Sequence, residues 1–319
     1  QGLIYKENGD PRGKLEGHVW DIDTKNLKEG EIFVKIGHAS VNPADFNVIQ
    51  GVYPAKPEKQ KLPGIEEEVW IGGNEGFGVV EKLSENGDLN GLKRGDWVIF
   101  SKPQIGTWRS GLICNANDVI KIPNRKESQI TPYMASTLQV NPATAYRMLH
   151  DFHQLDPKKD VIVQNAANSA VGQAVAQIAS RKLKVASINF IRSNAYSEEL
   201  QKAFDSYSKG DESCKAYLFS YEHLADRNSG LKERIKTILG DRQIKLGLNA
   251  VCGQANADMA KLMSTNSTLI TYGAMSRQPL TVPAGLIIFQ NMAIRGFMMN
   301  KWYAQNGLKE REELLKTLV

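Results

Sequence analysis

Val161-Ile162-Val163-Gln164-Asn165-Ala166-Ala167-Asn168-Ser169-Ala170-Val171-Gly172 joins an apolar run to a stretch that continues with helical spacing to Arg181. It reads as a first strand turning into a helix through small residues. Such a turn lets a backbone approach a pyrophosphate, and the free N–H groups at the helix start bind anions. As a pattern it is a worn G-x-G-x-x-G: only Gly172 is glycine, and alanines fill the other tight places. Small residues there also serve plain helix–strand packing, so the loop alone leaves both readings open.

Reading outward, the same alternation repeats. Upstream lies a helical segment, Thr144 to Phe152. Downstream come strand-like Val185 to Ile191, a helix around Glu198 to Phe204, strand Ala216 to Ser220 and a helix near Leu231 to Leu239. Strand Ile244 to Val251, helix Asn256 to Met263 and strand Thr268 to Gly273 follow. Strands alternating with helices over short connections predict a doubly wound parallel sheet. The first ~130 residues differ: short strand-like runs (Ile32 to Ile36, Phe77 to Glu81, Trp97 to Phe100, Val119 to Ile122) separated by turns such as Glu85-Asn86-Gly87-Asp88. The expected class is α/β, with a β-rich domain at 1–130, a dinucleotide domain at 131–300 and a helix at 301–319.

The ribose end of the site points to a cofactor type. NAD folds place an acid about 20 residues beyond the glycine loop, and NADP folds place an Arg nearby. Counting from Gly172 reaches Arg192, in Arg192-Ser193-Asn194. A carboxylate would repel a 2′-phosphate, whereas a guanidinium binds one, so NADPH is favoured over NADH.

Composition narrows the class. The 319 residues carry 40 Lys+Arg and 35 Asp+Glu, a net +5, too small for a nucleic-acid binder. Hydrophobic residues at 41% and charged residues at 24% exclude a disordered chain. Apolar stretches such as Leu286 to Phe289 fall far short of a membrane span. Cys114, Cys214 and Cys252 are scattered, which disfavours a disulfide framework and a structural zinc. In Gly72-Gly73-Asn74-Glu75-Gly76 an asparagine precedes the Glu, where zinc alcohol dehydrogenases carry a His ligand, and amide oxygen binds zinc poorly. His18, His38, His150, His153 and His223 read as structural, with His150 and His153 on one helix face and unpartnered. The chemistry is therefore expected to be metal-free. A phenol then becomes a candidate donor to a developing oxyanion. Tyr53 stands out, in a polar loop from Val41 to Pro54.

These blocks together resemble the mitochondrial 2-enoyl thioester reductases (trans-2-enoyl-CoA or enoyl-acyl-carrier-protein reductases) of the medium-chain dehydrogenase/reductase superfamily. The resemblance rests on Asn42-Pro43-Ala44-Asp45-Phe46-Asn47 through Tyr53-Pro54, Gly72 to Gly76 and Gly95-Asp96-Trp97-Val98-Ile99. Gly106-Thr107-Trp108-Arg109, Val140-Asn141-Pro142-Ala143-Thr144-Ala145-Tyr146 and Gln164 to Gly172 extend it. Leu246 to Gly253, Thr271-Tyr272-Gly273-Ala274-Met275 to Pro279 and Arg295-Gly296-Phe297 complete it.

The resemblance implies a GroES-like catalytic domain followed by a Rossmann-type NADPH domain. It implies Tyr53 as the catalytic residue, binding the thioester carbonyl or supplying a proton. It implies cofactor contacts at Asn141, at Asn168, Ser169, Ala170, Val171 and Gly172, and at Arg192, Ser193 and Asn194 around the 2′-phosphate. Tyr272, Gly273, Ala274 and Met275 with Phe297, Met298 and Met299 would lie beside the nicotinamide. The implied reaction is NADPH-dependent, zinc-independent reduction of trans-2-enoyl thioesters in mitochondrial fatty acid synthesis, by a homodimer in the matrix acting on an acidic acyl carrier protein. Arg277, Arg295, Lys301, Lys309 and Arg311 could steer that carrier.

Four departures qualify this. Arg192-Ser193-Asn194 replaces the family's Arg-Asp-Arg, which implies weaker NADPH selectivity. Met298 replaces an aromatic residue. Gln139 replaces a small residue, implying a shorter acyl pocket. The family also continues for several tens of residues beyond the position of Val319, back to the catalytic domain, with a further basic cofactor contact. Two other functions stay open at this point: an NADPH-dependent quinone or enone reductase of the same superfamily, and a non-catalytic NADPH-binding regulatory protein.

Overall fold

The computed structural model describes residues 1–319 except Lys126 and Arg227. Two compact units emerge, one of residues 1–143 with 300–319, the other of residues 144–299.

The first unit runs β1 (Gly2–Tyr5), α1 (Pro11–Lys14), β2 (Glu16–His18), β3 (Glu31–Ala39), α2 (Pro43–Ile49), β4 (Trp70–Ile71), β5 (Gly76–Leu83), β6 (Trp97–Phe100), β7 (Gly111–Asn115), β8 (Val119–Lys121) and α3 (Pro132–Ala135). An antiparallel five-stranded sheet, β7-β3-β5-β6-β8, packs around Ile32, Val34, Val80, Val98 and Phe100. A smaller antiparallel sheet has the order β2-β1-β4. Helix α4 (Asn141–Asp151) leads into the second unit. The compact unit ends at Ala143, thirteen residues past the expected border at 130. The reason is packing: Ala135 and Leu138 are buried with Phe77, Ile99 and Ile120.

The polar stretch expected to be a loop from Val41 to Pro54 contains α2. Asn42 precedes it in extended conformation, Pro43 supplies a fixed φ at the first turn, and the Asp45 carboxylate accepts the Asn42 N–H at 2.6 Å. These cues outweigh the density of polar side chains.

The second unit carries β9 (Asp160–Gln164), α5 (Ala170–Ile178), β10 (Ala186–Ile191), α6 (Glu198–Tyr207), β11 (Ala216–Ser220), α7 (Tyr221–Ala225), α8 (Leu231–Leu239), β12 (Gln243–Asn249), α9 (Gly253–Ala260), β13 (Thr268–Thr271), α10 (Ala284–Gln290) and β14 (Ala293–Gly296). Its six strands are all parallel, in the order β11-β10-β9-β12-β13-β14. Every residue of β9 and β10 is buried, as a parallel sheet covered on both faces requires. The helix expected to reach Arg181 is α-helical to Ile178 and continues as a π turn over Ala179–Leu183, so Arg181 is helical, and Lys184 closes the run in left-handed conformation. Helices α11 (Met299–Gln305) and α12 (Leu308–Leu318) return the chain to the first unit, where Leu315 joins the Phe77–Ile99 cluster. Among the described residues, no helix is long and apolar enough to cross a membrane.

Candidate active site

Because the six strands run parallel, their carboxyl ends share one edge of the sheet. Residues 168–172 follow β9, 192–194 follow β10, 272–275 follow β13 and 297–299 follow β14. Four separate stretches picked out in the sequence thus reach the same edge, which is where open α/β sheets bind ligands. The order reverses between β9 and β12, and there Asn165 donates from Nδ2 to Asn249 Oδ1 at 2.7 Å while its own Oδ1 accepts the Ala250 N–H at 2.7 Å. Both lie in stretches the sequence singles out, Gln164 to Gly172 and Leu246 to Gly253, but without a role of their own; both follow or end apolar strands, a position that signals the edge.

Ser169 caps α5, its hydroxyl accepting the Gly172 N–H at 3.1 Å. Gly172 is buried, and a Cβ there would lie 2.6 Å from Ala166 O and from Ala167 Cα. The cradle therefore closes only around glycine. Ala166 sits at φ 52°, and its N–H is donated to the Tyr221 hydroxyl at 2.6 Å. Burial pushes the Tyr221 phenol up to about 12. Asn168 and Ala170 are exposed at the mouth of the turn and Val171 is half-buried.

The Tyr272 hydroxyl is buried without a hydrogen-bond partner. Burial raises its pKa strongly, and the Ser169 hydroxyl, near but outside bonding geometry, offsets only part of that. An orphaned phenol beside the helix-capping serine, above a turn that admits no side chain at Gly172, fits a dinucleotide. Arg192, Ser193, Asn194, Ala274 and Met275 are exposed, Gly273 and Met298 half-buried, and Met299 buried. Phe297 packs edge-on against Phe152, ring centres 6.0 Å apart.

In the first unit, Tyr53 follows α2 through Gly51, whose φ of 77° turns the chain. Val52 and Tyr53 donate backbone N–H groups to Asn47 O at 3.0 and 3.1 Å, and Gln104 holds Ala55 O at 2.9 Å. The loop is thus fixed on both sides of the tyrosine. Its ring is half-buried, and its hydroxyl makes no hydrogen bond among the described residues. Burial, then the nearby Asp45 carboxylate, raise the Tyr53 pKa.

Two buried carboxylates that the sequence did not single out as functional lie behind this loop. Asp45 accepts the N–H groups of Asn42 at 2.6 Å and Asn74 at 2.8 Å. Glu75 accepts from Ser40 Oγ at 2.9 Å and Asn42 Nδ2 at 2.8 Å on one oxygen, and from the Val140 N–H at 2.9 Å on the other. Asn141 Nδ2 donates to Asn42 Oδ1 at 3.0 Å. Burial raises Asp45 to about 6 and Glu75 to about 7, against the pull of these donors. Thr107 binds Glu75 O at 2.8 Å and Trp108 Nε1 binds Ser40 O at 2.9 Å. The only advance signal was the spacing Asn42-x-x-Asp45; the rest joins residues 29 to 99 apart.

Gln139 is buried, with Oε1 unpartnered and its backbone O accepting Tyr303 Oη at 2.7 Å. Arg311 does not project freely: its Nη1 donates to Ser101 O at 2.8 Å and its other nitrogens to Tyr303 O and Asn306 O. Arg277, Arg295, Lys301 and Lys309 are exposed. His150 and His153 do have partners, Tyr146 O at 2.7 Å and Asp160 Oδ2 at 3.2 Å, and His153 lies beyond the end of α4. The three cysteines are free thiols, and burial pushes Cys114 up to about 12. Among the described residues no three His, Cys, Asp or Glu side chains gather as a metal set.

Comparison with known proteins agrees with this layout. The family described as the alcohol dehydrogenase GroES-like domain matches residues 28–124. The chain is 36% identical to "Enoyl-[acyl-carrier-protein] reductase 2, mitochondrial" of Debaryomyces hansenii, covering all of this chain and 81% of that protein. Among solved structures, the mitochondrial 2-enoyl thioester reductase Etr1p/Etr2p heterodimer of Candida tropicalis superposes with a TM-score of 0.88 at 34% identity, over 100% of this chain and 86% of the other. The Etr1p/NADP/crotonyl-CoA complex gives the same score, identity and coverage.

Proposed function

Since the chain belongs to the mitochondrial enoyl-[acyl-carrier-protein] reductases of the medium-chain dehydrogenase/reductase superfamily, we propose that it reduces trans-2-enoyl thioesters to saturated acyl thioesters with NADPH. The observation that carries the reading is the Tyr53 phenol. It is held rigidly by its backbone, has no partner among the described residues, and stays protonated far above neutral pH.

NADPH, when bound, supplies the hydride for the β-carbon of the enoyl thioester. We assign its pyrophosphate to the Asn168–Gly172 turn and its 2′-phosphate to Arg192-Ser193-Asn194. Its remaining contacts fall to Asn141, Tyr272, Gly273, Ala274 and Met275, and to Phe297, Met298 and Met299. As negative charge moves onto the thioester oxygen, the Tyr53 hydroxyl donates a hydrogen bond that is stronger in the transition state than in the ground state. A proton at the α-carbon completes the reduction. Asp45 and Glu75 do not touch substrate in this account; they hold the α2 loop in place.

The relatives are named mitochondrial, and we place this chain in the mitochondrial matrix. A homodimer through the second unit is supported by β14 at the sheet edge and by Ile287, Ile288 and Phe289, which stand exposed on α10. Exposed Arg277, Arg295, Lys301 and Lys309 suit an acidic acyl carrier protein. The test is NADPH oxidation with short- to long-chain trans-2-enoyl-CoA thioesters set beside a quinone. Faster turnover of the enoyl thioesters supports the assignment, and turnover of the quinone alone overturns it.

A further inference from the structure

Past the carboxyl end of β10, Ser193 gives both of its donors to one carboxylate. Its backbone N–H reaches Glu222 Oε1 and Oε2 at 3.2 and 3.1 Å, and its hydroxyl reaches Oε1 at 3.0 Å. Glu222 comes from the next strand along, in the first turn of α7, directly after β11. Its own backbone N–H and the Ser193 donors hold its carboxyl below the ordinary value, so it is ionised at neutral pH.

In a sheet of this topology the adenosine ribose lies at the end of the second strand of the βαβ unit, here β10. A site selective for a 2′-phosphate offers cations and N–H or O–H donors there; one selective for a 2′-hydroxyl offers a carboxylate. This chain offers both. Arg192 is exposed and forms no ion pair among the described residues, while Glu222 already occupies the neighbouring donors. A search of the residue spacing misses the acid because it lies 30 positions further along the chain and reaches the strand end through space.

We propose that Glu222 is a specificity-determining residue that narrows the preference for NADPH over NADH, by occupying the Ser193 donors a 2′-phosphate would use and by setting a negative charge beside it. The inference rests on the dinucleotide reading above. With a 2′-hydroxyl the same carboxylate has an acceptor to offer, so NADH is accommodated.

Calorimetric titration of wild type and Glu222→Gln with 2′,5′-ADP, 5′-AMP, NADPH and NADH tests this. The glutamine keeps the size of the side chain, and circular dichroism checks its fold; Glu222→Ala serves as the second variant. Expected is tighter binding of 2′,5′-ADP and NADPH, on the order of fivefold at low salt and shrinking as salt is added, with 5′-AMP and NADH unchanged or weaker. Equal shifts for both classes, or no shift in either variant, overturn the role of Glu222 while leaving the dinucleotide reading intact. Failure of wild type to bind either dinucleotide overturns the reading and the inference together.

Discussion

Asn42 and Asn141, 99 positions apart, are joined amide to amide: Asn141 Nδ2 donates to Asn42 Oδ1 at 3.0 Å. Asn42 opens the helix that leads to Tyr53, and Asn141 opens α4. The bond, together with Glu75 accepting from Nδ2 of the same Asn42 amide, ties the tyrosine loop to the start of α4.

Breaking this bond should therefore affect stability and cofactor affinity together. Asn141→Ala is expected to cost about 1 kcal/mol and to weaken NADPH binding. A double-mutant cycle with Asn42→Ala should show a coupling of about 0.5 kcal/mol or more. Strict additivity in urea unfolding would mean that the two amides do not meet in solution.

Tyr53→Phe separates chemistry from folding. No intramolecular hydrogen bond of the hydroxyl is lost among the described residues, so the unfolding midpoint and the NADPH affinity should match wild type. Turnover of crotonyl-CoA should fall by roughly 10²–10³, the usual cost of one oxyanion donor. Near-normal turnover would remove Tyr53 from the mechanism.

How far the chain could be read in advance depended on how locally each feature is determined. Strands β9 to β13 are short apolar runs bounded by turns; burial on both faces writes β9 and β10 plainly into Val161-Ile162-Val163 and Ala186 to Ile191, and the partly buried edge strand Ala216 to Ser220 is marked by its apolar run and flanking turns. Strands β1, β2 and β4 are two to four residues long and exist through pairing with distant partners such as Ile4 with Ile71, which no local pattern records. The turn from β9 into α5 was legible because its small residues and the spacing from Gly172 to the end of β10 belong to one βαβ unit. The Glu75 cluster was not, since Ser40, Asn42 and Val140 converge on it only in three dimensions. The same holds for Glu222 on Ser193, where reading the second strand end alone gave Arg192 but not the carboxylate that reaches it from α7.

Gly172→Ala asks whether the turn serves a cofactor or only packing. The added methyl meets backbone atoms of Ala166 and Ala167 at 2.6 Å, which cannot swing aside, so the loop must shift. A loss of about 1–3 kcal/mol is expected, with NADPH affinity falling by about tenfold or more as the backbone donors move. A lowered melting temperature with unchanged NADPH affinity would favour the packing role alone.

The buried carboxylates set an unusual pH dependence. Asp45 and Glu75 titrate near 6 and 7 when folded, whereas the unfolded chain takes up those protons near 4. Between these values the folded state binds more protons, so stability is greatest on the acid side and is lost as pH rises through 6 and 7. For the fully buried Glu75 the effect is on the order of 3 kcal/mol. His150, held below its ordinary value chiefly by burial, acts in the opposite direction, so the comparison must be made against a variant. Glu75→Gln removes the titrating group but leaves one donor among Ser40, Asn42 and Val140 facing an amide N–H, costing about 1–3 kcal/mol near pH 5. Urea midpoints from about pH 5 to about pH 8 should then decline less steeply for Glu75→Gln than for wild type, bringing the two curves together at the alkaline end. Parallel curves would mean that Glu75 is already ionised at the bottom of that range, and that the strength of its three donors outweighs its burial.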